Sequence, residues 1–183
     1  RSEGADLRFS IVEHAGEIEV FTTRPDTLHG VTFMVLAPEH PLVDATLQDP
    51  TAECDAKAIQ DYVDTARARS DVDRMADGKN KTGHALGLHV THPATGQPIP
   101  IWVSDYVLMG YGHGAVMAVP GHDNRDHAFA IKYGLPIIEV VQAAKSPSSD
   151  GCWSGDGIAI NSCSDQLDIN GLGTAEAKAA VIH

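Results

Sequence analysis

The chain has 183 residues, which suits a single domain with a sizeable hydrophobic core, and its composition is that of an ordinary globular protein. Its 25 Asp and Glu residues outnumber its 13 Lys and Arg residues and give a formal net charge of −12. A protein that covers a long stretch of nucleic acid needs clustered basic charge. This balance therefore argues against a large phosphate-binding surface and restricts any nucleic-acid contact to a local one.

The cysteines and the first residues of the chain bear on its compartment. Cys54, Cys152 and Cys163 are scattered without CxxC spacing, which argues against a disulfide framework and against a zinc ribbon. No apolar run approaches the roughly 18 residues of a membrane span, and residues 1–6 lack the pattern of a secretory signal. We therefore expect a cytoplasmic domain without membrane contact. Because the chain starts with Arg1 and opens directly on a strand pattern, we expect residues 1–183 to be one domain of a larger protein.

Alternation of apolar and polar residues predicts the first elements. Residues 7–12 and 18–21 alternate in this way and predict a hairpin. Residues 22–30 are rich in hydroxyls, contain a proline and end in a glycine, which predicts a loop. Residues 31–37 are continuously apolar and predict a buried strand. Apolar residues at helical spacing between residues 49 and 70 predict one amphipathic helix.

The second half of the chain is predicted to contain more strands than helices. Its predicted elements, in chain order, are a loop at 77–83, a hairpin of strands at 86–91 and 99–103, a helix at 124–133, a strand at 137–141, a mobile surface loop at 144–157, short strands around Ile158 and Leu167, and a terminal helix at 174–181. Many strands at short spacing with a few inserted helices predict an α+β fold that is predominantly β. We expect a closed β-barrel core with peripheral helices.

Residues 110–126 form the stretch where we expect the chemistry. Gly110, Gly112 and Gly114 alternate, which lets the backbone approach a ligand or adopt positive φ, and a short apolar run follows them. Ionisable side chains then crowd residues 122–127 at the start of the predicted helix. Polar groups at the end of a buried strand often form functional sites, but a solvated, capped helix start has the same pattern. The stretch alone leaves both interpretations open.

Common site motifs fit this stretch poorly. A dinucleotide-binding loop opens a helix, whereas these glycines precede a strand. His122, Asp123, Asp126 and His127 offer nitrogen and oxygen ligands for zinc or manganese, but the chain has no HExxH or HxH spacing. It also has no GxSxG nucleophile elbow. A metal site at residues 122–127 therefore stays an alternative to a hydrogen-bonded network.

Two segments together resemble the signature segments of the editing domain of leucyl-tRNA synthetases. They are residues 21–30, FTTRPDTLHG, and residues 111–126, YGHGAVMAVPGHDNRD. The related isoleucyl and valyl editing domains share a Thr-rich loop and a Gly-rich strand but differ around residues 25–27 and around the Val-Pro-Gly-His-Asp turn. Shorter similar pieces extend the resemblance over nearly the whole chain. These pieces are residues 38–42, 82–83, 92–96 and 99–102.

The resemblance also shows what this chain lacks. Full-length synthetases of this family contain a Rossmann catalytic domain with HIGH and KMSKS motifs, where ATP binds, and neither motif occurs here. We therefore expect the chain to edit but not to aminoacylate. His113 is one departure from the family pattern, because the family usually has Thr at this position.

The resemblance implies hydrolysis of the ester that joins a non-cognate amino acid, such as norvaline or isoleucine, to tRNA-Leu, while Leu-tRNA is spared. It assigns the α-amino group of the substrate to Asp126 and the steric exclusion of leucine to Thr27. The other residues that it implicates surround three parts of the substrate. They are Met117, Val119, His122 and Asp123 beside the amino acid, Leu108 and Tyr111 beside the base, and Thr22, Thr23 and Arg24 beside the ribose and phosphate. With Asp126, the hydroxyls of Thr22 and Thr23 form the expected catalytic set, because they are placed to position the attacking water.

The implied chemistry needs few further components. An activated ester needs little beyond a positioned water, so we expect no covalent nucleophile, metal or cofactor. The expected partners are the 3′ terminal adenosine of mischarged tRNA-Leu, the rest of the synthetase, and boron-containing inhibitors that bridge a ribose cis-diol. Two alternatives remain, namely a non-catalytic module that binds adenosine or the tRNA acceptor end, and a metal-dependent hydrolase that uses the cluster from His122 to His127.

Overall fold

The computed structural model describes residues 4–76, 80–143 and 151–182. These residues contain strands in three sheets, five α-helices and one 3-10 helix. The strands are β1 (Ala5–Ser10), β2 (Glu17–Thr22), β3 (Phe33–Leu36), β4 (Gly83–Thr91), β5 (Pro98–Ser104), β6 (Ala115–Ala118), β7 (Val141–Ala143) and β8 (Gly157–Ala159). The helices are the 3-10 helix Pro25–Gly30, α1 (Pro41–Gln48), α2 (Ala56–Arg67), α3 (Asp71–Met75), α4 (Asn124–Tyr133) and α5 (Thr174–Ile182).

A four-stranded sheet in the order β4-β5-β3-β6 forms the centre of the domain. β3 lies in its interior, parallel to β5 and antiparallel to β6, and all its residues are buried. Met34 and Leu36 pack into one hydrophobic cluster, while Phe33 and Val35 pack into another that contains Phe129 of α4. A strand covered on both faces has no polar side, which explains its continuously apolar sequence and confirms the predicted buried strand.

β1 and β2 form the antiparallel hairpin that the alternation predicts. Ile18 and Val20 are buried in the first hydrophobic cluster. Asp6 and Glu19 lie on the opposite face of the hairpin, where the side chains are exposed or half-buried. The hairpin therefore has one face in the core and one charged face in solvent.

The three predicted helices form, but α2 is shorter than the predicted range of 49–70. α2 buries Ile59 and Val63 and begins after Asp55, whose carboxylate accepts a hydrogen bond from the Ala58 N–H. α4 ends at Gly134, which has φ of 66° in the left-handed region that favours glycine. α5 matches the predicted terminal helix. α1 and α3 were not predicted, because they are short and their apolar residues do not repeat at helical spacing over a long window.

The prediction of a closed, predominantly β barrel is wrong for the described residues. Their strands form sheets of two, four and two strands, and the α-helices contain about as many residues as the strands. A bridge between Ile11 and Val90 joins the β1–β2 hairpin to the central sheet, but continuous pairing does not close a ring there. Strand count and spacing predict the amount of β-structure, whereas closure depends on register between distant strands. The domain is a mixed α+β fold.

Three local predictions also differ from the structure. The predicted strand at 137–141 begins only at Val141, and around Leu167 the pairing is a bridge between Cys163 and Asp168. The hydroxyl-rich loop at 22–30 contains the 3-10 helix, which starts with Pro25. The loop predictions at 77–83 and 144–157 lie partly outside the described residues, which omit 77–79 and 144–150.

Candidate active site

Two segments that are far apart in the sequence form a cavity of about 520 Å³. One wall is the end of β2 with the 3-10 helix that follows it, and the other runs from the loop before β6 to the start of α4. The cavity brings together every residue that the sequence implicated in substrate binding or catalysis. These lining residues are Thr22, Thr23, Arg24, Thr27, Leu108, Tyr111, Met117, Val119, His122, Asp123 and Asp126.

Hydrogen bonds to the backbone of Arg24 hold two threonine hydroxyls of the first wall. The Thr27 hydroxyl donates a hydrogen bond of 2.8 Å to the Arg24 carbonyl, and the Thr27 side chain is buried. The Thr22 hydroxyl accepts a hydrogen bond of 3.0 Å from the Arg24 N–H. Thr23 lies between Thr22 and Arg24 in the sequence, and its side chain is exposed. The side chain of Thr27 therefore lines the cavity in a fixed rotamer. A side chain that cannot rotate away is suited to excluding a substrate by its size.

Arg24 lines the cavity, but protein groups already bind its guanidinium. Its Nε and Nη2 atoms donate to both carboxylate oxygens of Asp26 at 3.0 and 2.9 Å. Nη1 and Nη2 also donate to the carbonyls of Ser154 and Gly155 at 3.0 and 3.4 Å. Four of the five guanidinium N–H groups are thus engaged. A contact with the substrate phosphate stays a prediction that would compete with these bonds.

Asp126 is a buried carboxylate on the second wall. Its Oδ1 accepts a hydrogen bond of 2.8 Å from the Tyr106 hydroxyl, and its Oδ2 accepts one of 2.9 Å from the Val119 N–H. Burial and the negative charge of Asp123 raise the pKa of Asp126 to about 7, although both hydrogen bonds oppose this rise. A carboxyl group that changes charge near neutral pH inside a cavity is a candidate for a functional role.

Asp123 and Asp126 have different roles at the start of α4. The Asp123 carboxylate accepts hydrogen bonds from the Arg125 and Asp126 N–H groups at 2.8 and 3.2 Å, so Asp123 is the helix N-cap. Asp126 makes no capping bond among those that the described residues show. The two interpretations that the sequence left open therefore divide between two residues. Asp123 caps the helix while also lining the cavity, whereas Asp126 accepts its hydrogen bonds from Tyr106 and Val119.

Hydrogen bonds to backbone groups occupy both ring nitrogens of His122. Nδ1 donates to the Trp153 carbonyl at 2.6 Å, and Nε2 accepts from the Val140 and Val141 N–H groups at 2.9 and 3.0 Å. These partners require the neutral tautomer with the proton on Nδ1. Burial lowers the pKa of His122, which favours the same neutral form. His122 therefore ties the second wall to residues 140–141 and 153.

The histidines at 122 and 127 do not form a ready set of metal ligands. Both nitrogens of His122 are engaged, and Nδ1 of His127 lies 2.9 Å from the Pro120 carbonyl. A metal at this position would have to break the bonds of His122 that hold the backbone of residues 140–141. The geometry favours the hydrogen-bonded network over the alternative of a metal-dependent hydrolase.

Aromatic and aliphatic side chains contribute part of the cavity lining. Tyr111 is 74% exposed at the rim, beside Phe21, which is 43% exposed. Leu108, Met117 and Val119 are buried and form the deeper lining. Such a cavity offers an exposed aromatic surface to a planar group and a narrower apolar region to a small side chain.

Sequence reasoning missed Tyr106, whose hydroxyl binds Asp126. Burial and the negative charge of Asp126 raise the pKa of Tyr106 well above its usual value, so the hydroxyl keeps its proton and acts as a donor. Tyr106 lies in a short turn after β5 with no motif around it. Its role depends on where α4 packs, and no local pattern in the sequence carries that information.

A larger cavity of about 1040 Å³ lies between α2 and strands β4 and β5. Tyr62, Trp102 and Tyr133 contribute to its lining, and it shares no lining residue with the smaller cavity. We place the candidate active site in the smaller cavity because that cavity gathers threonine hydroxyls around the buried carboxylate with the displaced pKa. Volume alone does not indicate chemistry.

Among the residues that the structure describes, no helix has the length and apolar character that crossing a membrane requires.

The family model described as "Leucyl-tRNA synthetase, editing domain" matches residues 1–183. The chain is 47% identical over 196 residues to a leucine-tRNA ligase of Saccharopolyspora erythraea, with 100% of this chain and 20% of that protein covered. It is 48% identical over 183 residues to a leucine-tRNA ligase of Chlamydia muridarum, again with 100% and 20% covered. The chain thus spans about a fifth of the length of these curated relatives.

A solved structure is similar over most of the domain. It is the crystal structure of a ternary complex of LeuRS from Agrobacterium radiobacter K84 with tRNA and LeuAMS. The TM-score is 0.64 at 34% sequence identity, and the match covers 80% of this chain and 17% of that one. The likeness therefore extends from the sequence to the fold of most of the chain.

Proposed function

Because this chain belongs to the leucyl-tRNA synthetase editing-domain family, we propose that it hydrolyses the ester of tRNA-Leu mischarged with norvaline, isoleucine or a similar amino acid and spares Leu-tRNA. A synthetic site distinguishes side chains that differ by one methylene by only about 1 to 3 kcal/mol, so a second hydrolytic site is needed for accuracy. Binding of the tRNA acceptor end to the cavity fits the net charge of −12, because only the last nucleotides have to enter.

The buried carboxylate of Asp126 is the observation that carries this proposal. An aminoacyl ester has a free α-amino group that is partly cationic near neutral pH. Each oxygen of Asp126 accepts one hydrogen bond from the protein, which leaves a further lone pair on each for an ammonium N–H. In a buried site this charge pair is stronger than in water, and it fixes the position of the ester carbon.

Thr27 is proposed to exclude leucine. Its side chain is buried, lines the cavity and is fixed by the bond between its hydroxyl and the Arg24 carbonyl. A β-branched side chain in a fixed rotamer resists displacement, so a substrate branched at its γ-carbon would clash where a linear one fits. Met117 and Val119 complete the apolar lining for the smaller side chain.

The terminal adenosine is proposed to bind at the open end of the cavity. Its base would lie on Tyr111 and Leu108, because exposed aromatic side chains are preferred surfaces for unpaired bases. Its ribose would lie near Thr22 and Thr23, whose hydroxyls, with the free ribose hydroxyl, would orient the attacking water. Boron-containing compounds that bridge a ribose cis-diol are proposed inhibitors of the same site.

A deacylation assay tests the proposal. Norvalyl-tRNA-Leu and leucyl-tRNA-Leu are incubated with the chain, and release of the amino acid is measured over the background of spontaneous hydrolysis. The proposal expects rapid loss of norvaline and slow loss of leucine. The same assay is run on a full-length synthetase with the corresponding cavity substitutions, because the isolated domain lacks the rest of the tRNA-binding surface.

The outcome also separates the alternatives. A non-catalytic binding module would protect the ester or leave its spontaneous rate unchanged in both proteins. A metal-dependent hydrolase would lose activity in a chelator and regain it when metal is added. Activity that resists the chelator and depends on Asp126 supports editing by charge anchoring and a positioned water.

A further inference from the structure

Outside the cavity, one imidazole nitrogen and two carboxylate oxygens converge on the charged face of the hairpin. His113 Nε2 lies 3.0 Å from Asp6 Oδ1 and 3.0 Å from Glu19 Oε1. The three atoms lie within 4.8 Å of one another. Asp6 is on β1, Glu19 is on β2, and His113 is in the loop before β6, so the three side chains come from separate segments. We call this group the rim cluster.

The backbone around His113 explains how the loop brings the ring to the hairpin. Gly112 and Gly114 flank it with φ of 56° and 70°, a conformation that residues with side chains adopt rarely. The Gly114 carbonyl accepts a hydrogen bond of 2.8 Å from the Ala37 N–H, which fixes the loop to the end of β3. A Cβ atom on Gly112 would lie 3.4 Å from Cβ of Phe21, so the loop lies directly against the end of β2. The Gly-His-Gly sequence therefore places the ring by backbone geometry.

The charges of the rim cluster favour a bound cation. The Nε2 atom of an imidazole carries at most one hydrogen, so it cannot give a full hydrogen bond to both carboxylates at once. Arg8 Nε reaches Glu19 Oε2 at 3.3 Å and offsets part of the negative charge of Glu19. Asp6 and Glu19 still direct two like charges at one nitrogen. A divalent cation between the three atoms would bind all three through lone pairs and remove this repulsion.

The spacing suits a transition metal. Zinc binds imidazole nitrogen and carboxylate oxygen at about 2.0 to 2.2 Å, which in tetrahedral geometry separates neighbouring ligand atoms by about 3.3 Å. The two N···O distances of 3.0 Å need to widen by only a few tenths of an ångström. The side chains of His113, Asp6 and Glu19 are 45%, 56% and 37% exposed, so an ion has access and water has room to complete its coordination.

We propose that Asp6, Glu19 and His113 form a binding site for a divalent transition metal of the zinc class. One imidazole and two carboxylates match the mixed nitrogen and oxygen preference of such ions, whereas magnesium and calcium prefer oxygen ligands alone. The metal binds the lone pair of the imidazole Nε2 together with one oxygen of each carboxylate. It ties the loop that carries Tyr111 and Gly112 of the cavity rim to the β1–β2 hairpin.

Titration of the full chain, without an affinity tag, with zinc chloride in a calorimeter tests this site. We expect one equivalent of zinc to bind to the wild-type chain. His113→Thr, which installs the residue usual in the family, is expected to weaken binding at least about tenfold, because a direct ligand is lost. Asp6→Asn and Glu19→Gln should each weaken it in the same direction. His89→Ala, which removes an exposed histidine on β4, is the matched control and should leave binding unchanged.

Three results would overturn the proposal. These are the absence of stoichiometric zinc binding, undiminished affinity in His113→Thr, and magnesium binding as tightly as zinc. A circular dichroism spectrum of each variant excludes unfolding as the cause of any loss. The titration needs no tRNA, so its outcome is independent of whether the cavity edits mischarged tRNA.

Discussion

The rim cluster and the cavity cluster of His122, Asp123 and Asp126 contain the same side-chain types in opposite surroundings. In the cavity cluster, both nitrogens of His122 and both oxygens of Asp126 have protein partners. In the rim cluster the described contacts join the three half-exposed side chains to one another and to Arg8. Burial with fixed partners displaces a pKa, whereas exposure with shared negative charge favours a cation. Residue type alone does not distinguish these two outcomes.

The largest effect is expected when the charge of Asp126 is removed from the cavity cluster. Asp126→Asn keeps an acceptor for the Val119 N–H and a donor toward the Tyr106 hydroxyl, so the fold should survive. The substitution removes the negative charge that would bind the α-amino group. We expect hydrolysis of norvalyl-tRNA-Leu to fall by about 100-fold or more, comparable to the loss of a fixed electrostatic contact in other sites.

Single-turnover deacylation of mischarged tRNA measures this effect. Asp123→Asn is the matched control, since Asn also caps helices and the Asp126 carboxylate is retained, so its rate should change only severalfold. Retention of most of the activity in Asp126→Asn would show that the ester is held by other groups.

The next largest effect is expected when Thr27, the residue proposed to exclude leucine, is made smaller. Thr27→Ala removes the methyl and hydroxyl groups that narrow the cavity, so leucine should enter. We expect hydrolysis of leucyl-tRNA-Leu to rise by about 10- to 100-fold, the range that one methylene-sized contact controls. Thr46→Ala, at a buried threonine of α1 outside the cavity, serves as the control. If leucine remains fully protected in Thr27→Ala, another residue excludes it.

Two substitutions around Asp126 should shift the pH dependence of kcat/KM in opposite directions. The Tyr106 hydrogen bond lowers the pKa of Asp126, and the negative charge of Asp123 raises it. Tyr106→Phe should therefore move the rising limb of the kcat/KM profile to higher pH, and Asp123→Asn should move it to lower pH. In the wild type this limb should lie near the pKa of about 7, since the ionised carboxylate binds the substrate.

Near pH 7 each variant should change kcat/KM only severalfold, because the carboxylate itself is retained. Shifts in the same direction for the two variants would contradict the account of how Asp126 is tuned.

The smallest effect is expected in the pH dependence of the free energy of unfolding. The pKa of Asp126 is raised to about 7 in the folded chain, well above the usual value of 3.8 for an aspartate side chain. The folded state therefore keeps a proton that the unfolded state loses, and this contribution to stability disappears as pH rises from about 4 to 7. Asp126→Asn does not titrate, so its melting temperature relative to the wild type should increase over this window and stay constant above it. Thermal unfolding of both proteins at pH 5 and pH 8 measures this difference in melting temperature. A change of 1 kcal/mol in the free energy of unfolding corresponds to about 2 to 4 °C. A relative melting temperature that falls with pH would contradict the raised pKa.

The sequence predicted the parts of the fold that depend on local patterns. β3 is apolar throughout because it is covered on both faces, and α4 ends at a glycine with positive φ, so both were visible in the residues. Closure of a barrel depends on register between distant strands, and the prediction of a closed barrel was wrong. The 3-10 helix was missed because hydroxyl-rich residues after a strand also suit a loop.

The grouping of these residues around one cavity was predictable, but the hydrogen bonds within the cavity walls were not. The resemblance named eleven residues, all of which line the cavity, and ten of them lie in the two signature segments while Leu108 lies just before the second. The bonds of Arg24 to the carbonyls of Ser154 and Gly155 depend on where a segment about 130 residues later packs. The same is true of His122 with Trp153 and of Tyr106 with Asp126. His113 gained a proposed role only when the structure placed it beside Asp6 and Glu19.

The claim that Asp126 anchors the α-amino group is tested most directly by removing that amino group from the substrate. A tRNA-Leu esterified with the 2-hydroxy analogue of norvaline keeps the side chain and the ester but loses the cation. The rate of hydrolysis of both esters is measured with the wild type and with Asp126→Asn. The account predicts that the wild type strongly prefers the amino ester and that Asp126→Asn hydrolyses the two esters at similar rates. An unchanged preference for the amino ester in Asp126→Asn would contradict it.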